Sequence, residues 1–228
     1  MTSSYKGERS MDFSARIQYH LGELEVASDP SSPYHIQPKF DDTDQAILDI
    51  GCGIGQTLIA SKLEDRQLVV GMDIEMEPLV YGSKNYESIQ YMNGNAESLP
   101  FAACSFDKII SRVALPYTFI PHSVAELSRV LKPGGSIWVT LHPVSKTMQQ
   151  LAASTKSLDI KGMIFRSYTI MNGVAFHVAG KLYRWPRDNL MESFQTRYAM
   201  TRCLKENGFE NIEFENNRYF KCTATKKR

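Results

Sequence analysis

The sequence predicts an α/β fold: a doubly wound, mostly parallel sheet of seven strands with helices on both faces, plus an inserted hairpin. Three observations carry that expectation. Short apolar runs alternate with helical segments from Gln45 to Leu141. The first of these runs ends in a cluster of glycines. After His142-Pro143 the alternation breaks, and the chain closes with one helix and two more extended runs. Strands alternating with helices indicate parallel pairing covered on both faces. Right-handed crossovers then wind the sheet in both directions.

Residues 1–44 read as an N-terminal helix and loop cap. Residues 1–11 look like a loose arm. Asp12 to Val26 sets Phe13, Ile17, Leu21 and Leu24 at helical spacing. Ser28 to Asp44 holds Pro30, Pro33 and Pro38 and reads as a loop. Residues 45–142 form the core of the prediction. Its strands are Ala46–Ile50, Leu68–Met72, Ile89–Met92, Phe106–Ser111 and Ile137–Leu141. Its helices are Leu58–Leu63, Pro78–Tyr86 and Val124–Leu131.

Residues 143–190 read as an inserted helix and hairpin, the substrate lid. Val144 to Leu158 is predicted helical. Met163–Met171 and Val174–Trp185 are extended in composition and joined by Asn172-Gly173, the strongest short-range hairpin signal. One face of that hairpin would bury Phe165, Thr169, Phe176, Val178 and Leu182. The other would carry Arg166, Tyr168, His177, Lys181 and Tyr183. Residues 191–228 return to the core, with a helix over Glu192–Lys205 stopped by Asn207-Gly208, then strands at Asn211–Glu215 and Tyr219–Thr225.

Composition bounds the function. The 228 residues are 43% hydrophobic and 22% charged, so the chain can bury a core. A net charge of +1 argues against a strongly basic nucleic-acid protein. The charge is uneven: residues 1–50 carry four basic and nine acidic side chains, and residues 161–228 carry thirteen and six. No apolar run reaches the roughly 18 residues of a membrane span, and no leader peptide is visible. Cys52, Cys104, Cys203 and Cys222 form no C-x-x-C pair, and the histidines show no H-x-x-x-H spacing. Neither a metal site nor a disulfide framework is expected, and the cytoplasm is the expected compartment.

The most informative segment is Asp49-Ile50-Gly51-Cys52-Gly53-Ile54-Gly55, between a strand and a helix. Glycines there permit a tight turn and close approach of backbone to a ligand. The helix that follows offers free N–H groups to an anion. The spacing is G-x-G-x-G, not the G-x-G-x-x-G of dinucleotide-binding loops. Asp73 ends the second strand, about 20 residues on, where a carboxylate can accept from both ribose hydroxyls.

Five ordered segments make the sequence resemble the class I S-adenosylmethionine-dependent methyltransferases, in particular the small Rossmann-like enzymes called type 11. They are Asp49 with its glycines, Asp73, the segment Gly94-Asn95-Ala96-Glu97-Ser98-Leu99-Pro100-Phe101, the strand Phe106–Ser111, and Leu127-Ser128-Arg129-Val130-Leu131-Lys132-Pro133-Gly134-Gly135. The resemblance implies that S-adenosyl-L-methionine is the cofactor. It places Asp49, Gly51, Cys52, Gly53 and Gly55 around the methionine part and Asp73 on the ribose. Met72, Ile74, Asn95 and Ala96 would flank adenine, and Ser111 and Arg112 would lie near the reacting end. The chain departs from the family at Asn95, where aspartate is usual. An amide oxygen still accepts a hydrogen bond but lacks the charge.

Methyl transfer by in-line displacement demands alignment above all, so no catalytic side chain is required by the chemistry. The candidates for one are His142 and Tyr117, and His177 if the hairpin is a lid. Plain structural roles compete for each: Asp49 as a brace of the loop, Asn95 as a turn residue, Met72 and Ile74 as core, Cys52 as filler. No N-P-P-Y or D-P-P-Y element follows the fourth strand, and no Pro-Cys pair is present. A small-molecule acceptor is therefore expected over nucleic acid, with no membrane partner. Arg166, Lys181, Arg184 and Arg187 suggest an anionic one. An RNA or protein methyltransferase, and a cofactor-binding subunit without turnover, are the alternatives.

Overall fold

The computed structural model describes residues 13–228, so the arm expected over residues 1–11 lies outside the described part. Helix α1 spans Phe13–Ser28. The core then runs β1 (Ala46–Ile50), α2 (Gln56–Ala60), β2 (Leu68–Asp73), α3 (Met76–Asn85), β3 (Gln90–Asn93), β4 (Phe106–Arg112), α4 (Ile120–Val130) and β5 (Leu131–Leu141). Helices α5 (Val144–Lys156) and α6 (Ile160–Ala179) follow. The chain closes with α7 (Arg197–Glu206), β6 (Phe209–Asn216) and β7 (Phe220–Lys226).

The seven strands form one sheet in the order β3-β2-β1-β4-β5-β7-β6. The first five pair in parallel, and β7 runs antiparallel to both of its neighbours. This matches the sheet expected from sequence. β1 is buried along its whole length, as an apolar run between two parallel neighbours must be. Leu48 and Ile50 of β1 face one core layer, with Leu127 and Val139. Ile47 faces the other, with Leu58, Val69 and Trp138. The strand order reverses between β1 and β4. At such a switch point the loops after the two strands diverge and leave a crevice at their carboxyl ends.

The inserted hairpin is not formed. Met163 to Ala179 belongs to a twenty-residue helix, and Asn172-Gly173 sits in its interior. The buried positions Phe165, Tyr168, Thr169, Asn172, Gly173 and Phe176 repeat at three and four residues, which is a helical face. The Asn-Gly pair serves packing. Asn172 Nδ2 donates to the carbonyls of Tyr183 at 2.8 Å and Glu192 at 3.2 Å, and its Oδ1 accepts from Tyr183 N–H at 2.9 Å. A Cβ on Gly173 would stand 2.3 Å from the Phe194 ring. Both residues are there to seat the 181–195 strap on the helix. A second difference is the start of the closing helix, at Arg197. Glu192 to Gln195 lie outside any helix or strand and are buried.

Candidate functional site

A cavity of about 640 Å³ opens at the carboxyl ends of β1, β2 and β4. Such a volume lies in the range of small-molecule sites. Its floor includes Ile50, Gly51, Met72 and Asp73, and its wall on one side is Ile74, Gly94, Asn95, Ala96 and Glu97. Tyr19, His20 and Glu23 of α1 cover it, and Tyr117, Lys146 and Tyr219 stand on the far wall.

The glycine loop is tied to β2 by Gly51 and Cys52, whose N–H groups both donate to Met72 O, at 2.7 and 3.1 Å. Gly53 N–H donates to Asp73 Oδ2 at 2.8 Å, and Glu75 N–H donates to Asp73 Oδ1 at 3.0 Å. Gly55 has φ of 90°, and a Cβ there would meet the Tyr91 hydroxyl at 2.5 Å. A Cβ on Gly53 would strike the His20 ring at 2.5 Å. The bare loop thus makes room for protein side chains on two sides as well as for whatever enters the cavity.

Asp49 lies at the end of β1 and is almost wholly buried, and its Oδ1 has no hydrogen-bond partner. Burial pushes its carboxyl up to about 8, the neighbouring Asp73 adds to that, and Arg112 opposes it. Arg112 donates from Nη2 to Glu23 Oε2 at 2.6 Å, while its Nη1 is buried without a partner. Asp73 is also pushed up, chiefly by burial. Cys52 is buried, and its thiol is held well above the ordinary range by burial first and then by Asp73 and Asp49.

Of the residues singled out in the sequence, Gly51, Met72, Asp73, Ile74, Asn95, Ala96 and Tyr117 line the cavity. Asp49, Cys52, Gly53, Gly55 and Ser111 lie behind that lining. Ser111 is buried and donates to Ile50 O at 3.0 Å, bracing the ends of β4 and β1 together. Asn95 Oδ1 accepts from Glu97 N–H at 2.9 Å, the turn contact weighed against an adenine contact. His142 is buried below the wall with its ring edge against Tyr117, 5.2 Å between centroids. Its Nε2 is 2.6 Å from Lys146 Nζ, so the ring nitrogen accepts from the ammonium. Burial and then Lys146 and Arg166 hold its pKa well below the usual histidine range. His177 is outside the lining, hydrogen-bonded to Thr196 Oγ1 at 2.8 Å.

Comparison with known proteins finds a family match over the strands and helices that build the cavity floor. Residues 48–139 match the family model described as "Methyltransferase domain". The demethylmenaquinone methyltransferase of Chlorobaculum parvum is 27% identical over 174 residues, covering 74% of this chain and 67% of its own length. The malonyl-[acyl-carrier protein] O-methyltransferase of Erwinia pyrifoliae is 32% identical over 115 residues, 47% of this chain and 44% of that one. Among solved structures, an S-adenosylmethionine-dependent methyltransferase of Thermotoga maritima, described as a possible histamine N-methyltransferase, superposes with a TM-score of 0.60. It is 15% identical, over 96% of this chain and 97% of the other.

Residues 48–139 match a methyltransferase family, and the fold is that of solved S-adenosylmethionine-dependent methyltransferases.

Residues outside the sequence motifs build much of the cavity. Arg16, Tyr19, His20 and Glu23 come from α1, and Lys146 from α5. Arg184 and Asp188 to Met191 come from the strap after α6. Tyr219, just before β7, reaches the same wall and donates to Tyr34 O at 2.9 Å. Arg184 pairs with Glu97 across the mouth, and Glu97 Oε1 also accepts from Phe119 N–H at 2.9 Å. Arg166 is not at the cavity: it is buried against Glu192 at 2.7 Å. Arg184 alone of the four basic residues singled out lines the cavity. Val113, directly after β4, has φ of 67°. A β-branched residue in the left-handed region is strained, and such strain clusters at functional sites. Among the described residues no group of His, Cys, Asp or Glu could hold a metal.

Proposed function

We propose that the cavity holds S-adenosylmethionine with its methionine part over the glycine loop, and that the methyl acceptor is a small molecule at the Tyr117 end. The single observation that supports this most is the unpartnered, buried Oδ1 of Asp49. A carboxylate so placed is costly unless a cation or donor meets it, and the methionine ammonium is such a group. Arg112 Nη1, equally unpartnered, suits the carboxylate of the same amino acid. Each Asp73 oxygen accepts one backbone N–H and keeps a lone pair for a ribose hydroxyl. Ile74 leaves half of its apolar side chain exposed beside Asn95 and Ala96, a surface suited to one face of adenine.

The bound cofactor would supply an electrophilic methyl group for in-line displacement. The chain's own residues align and shield. The glycine loop and Asp73 fix the nucleoside, and α1 with the 181–195 strap excludes water. Tyr117 and Lys146 stand where an acceptor would enter. His142 fits a positioning role for Lys146 and Tyr117 better than that of a base, because its free nitrogen already accepts from Lys146. Relatives named for quinone and malonyl-[acyl-carrier protein] acceptors support an acceptor other than a nucleic acid.

Mass spectrometry of a metabolite extract incubated with the protein and methyl-labelled cofactor tests the reading. Labelled small molecules are the expected products. Label recovered only in RNA or protein overturns the acceptor class. Calorimetry that detects no cofactor uptake overturns the site.

A further inference from the structure

Helix α6 carries apolar side chains on its exposed face as well as on its buried one. Its inner face is buried against the strap and the core. Its outer face carries Ile160, Ile164, Met171, Val174 and Val178, each at least 50% exposed. They recur at three- and four-residue steps, with Ser167 filling the one gap, so they form a continuous stripe along the helix. A contiguous exposed apolar stripe of this kind marks a contact surface. The stripe runs into the α5–α6 turn. There Leu158 is 81% exposed and held at φ of 54°. A left-handed, strained conformation thus presents a leucine outward.

The charge around the stripe has one sign. Between Val144 and Arg187, apart from Lys146, Arg166 and Arg184, which are engaged at the cavity or with Glu192, the charged residues are the exposed Lys156, Lys161, Lys181 and Arg187 and one acidic residue, Asp159. Asp159 is already engaged as the cap of α6, accepting from Gly162 N–H at 3.0 Å. Lys156 and Lys161 flank Leu158, and Lys181 follows the other end of α6; all three are exposed.

We propose that this stripe and its lysines rest on an anionic lipid surface, with α6 lying along the interface and Leu158 as its leading apolar side chain. The geometry gives a bilayer both things it binds: apolar side chains for the acyl boundary and cations for the headgroups. A second copy of the chain suits the surface less well. Two-fold pairing of the stripes would bring lysines against lysines with no free carboxylate between them. Among the described residues no helix is long and apolar enough to cross a membrane, so the contact is with the surface. The expectation of no membrane partner rested on the lack of a spanning segment, which a surface contact does not need.

Co-sedimentation of the whole chain with vesicles tests this. The vesicles are phosphatidylcholine alone, or phosphatidylcholine mixed with phosphatidylglycerol. The protein is expected to pellet with the mixed vesicles, less so as salt is raised, and weakly with phosphatidylcholine alone. Ile164→Glu with Val174→Glu, and separately Lys156→Glu with Lys161→Glu, are each expected to lower vesicle affinity by about tenfold or more. All four side chains are exposed, so calorimetric cofactor binding should be retained. The lysine pair keeps the test alive if the first variant misfolds. Wild-type protein left in the supernatant overturns the proposal, as does vesicle binding unaffected by either pair. A dimer in light scattering that the glutamates dissociate also overturns it, since a second copy would then cover the stripe.

Discussion

Gly53 and Asp73, twenty residues apart in sequence, are joined by a 2.8 Å hydrogen bond from the glycine N–H to the carboxylate. The carboxylate therefore braces the loop before any ligand arrives. Asp73→Ala removes the brace along with the proposed ribose acceptor. It is expected to weaken cofactor affinity by about 1–3 kcal/mol in calorimetry. Asp73→Asn, which keeps one acceptor oxygen, should fall between the two. An alanine variant with wild-type affinity would remove Asp73 from the site.

Asp49 gives the site a pH signature. Its carboxyl is raised to about 8 in the folded chain, from an ordinary value of 3.8. Between those values the folded state keeps a proton that the unfolded state has lost, so stability falls as pH rises through that window. A cationic ligand beside Asp49 reverses the preference and expels the proton. Cofactor affinity should therefore climb with pH, by up to about tenfold per unit, until it levels near pH 8. Calorimetry in buffers of differing ionisation enthalpy should show proton release at neutral pH, and none with Asp49→Asn.

Gly55→Ala forces a side chain into φ of 90° and against the Tyr91 hydroxyl. A loss of about 1–3 kcal/mol is expected from denaturant melts. Adding Tyr91→Phe removes the hydroxyl but not the backbone strain, and also removes a 2.6 Å bond to Ile54 O. The double variant should not recover wild-type stability.

Asn172→Ala breaks three bonds that hold the strap. The cost should be about 1–3 kcal/mol, because Glu192 O and Tyr183 N–H lose this partner while Tyr183 O keeps the Tyr168 hydroxyl at 2.7 Å. Hydrogen exchange should rise at Tyr183. Unchanged protection there would mean that the strap is held by other contacts.

The parallel sheet was legible because β1, β2 and β4 carry short buried apolar runs, and β1 matches residue for residue; β3, Gln90–Asn93, is polar and mostly exposed. The site was legible where backbone chemistry demands a residue type: bare positions at Gly53 and Gly55, a strand-end carboxylate at Asp73. It was not legible where distant segments converge. Nothing in Tyr19, Lys146 or Tyr219 distinguishes them from surface residues until the fold brings them to one wall. The misread hairpin has a definite cause. Asn-Gly satisfies both a tight turn and a helix that must accept a strap, and local sequence favours the turn. The three-and-four spacing of Phe165, Tyr168, Asn172 and Phe176 was the competing signal.

The bond between Tyr219 and Tyr34 spans 185 residues. Closing so long a loop is slow compared with forming neighbouring strands. During synthesis the glycine turn and its carboxylate emerge well over a hundred residues before Tyr219. Until Tyr219 is in place, the cavity beside that turn lacks one of its walls. Docking of this distant segment, more than folding of the central motifs, closes the space.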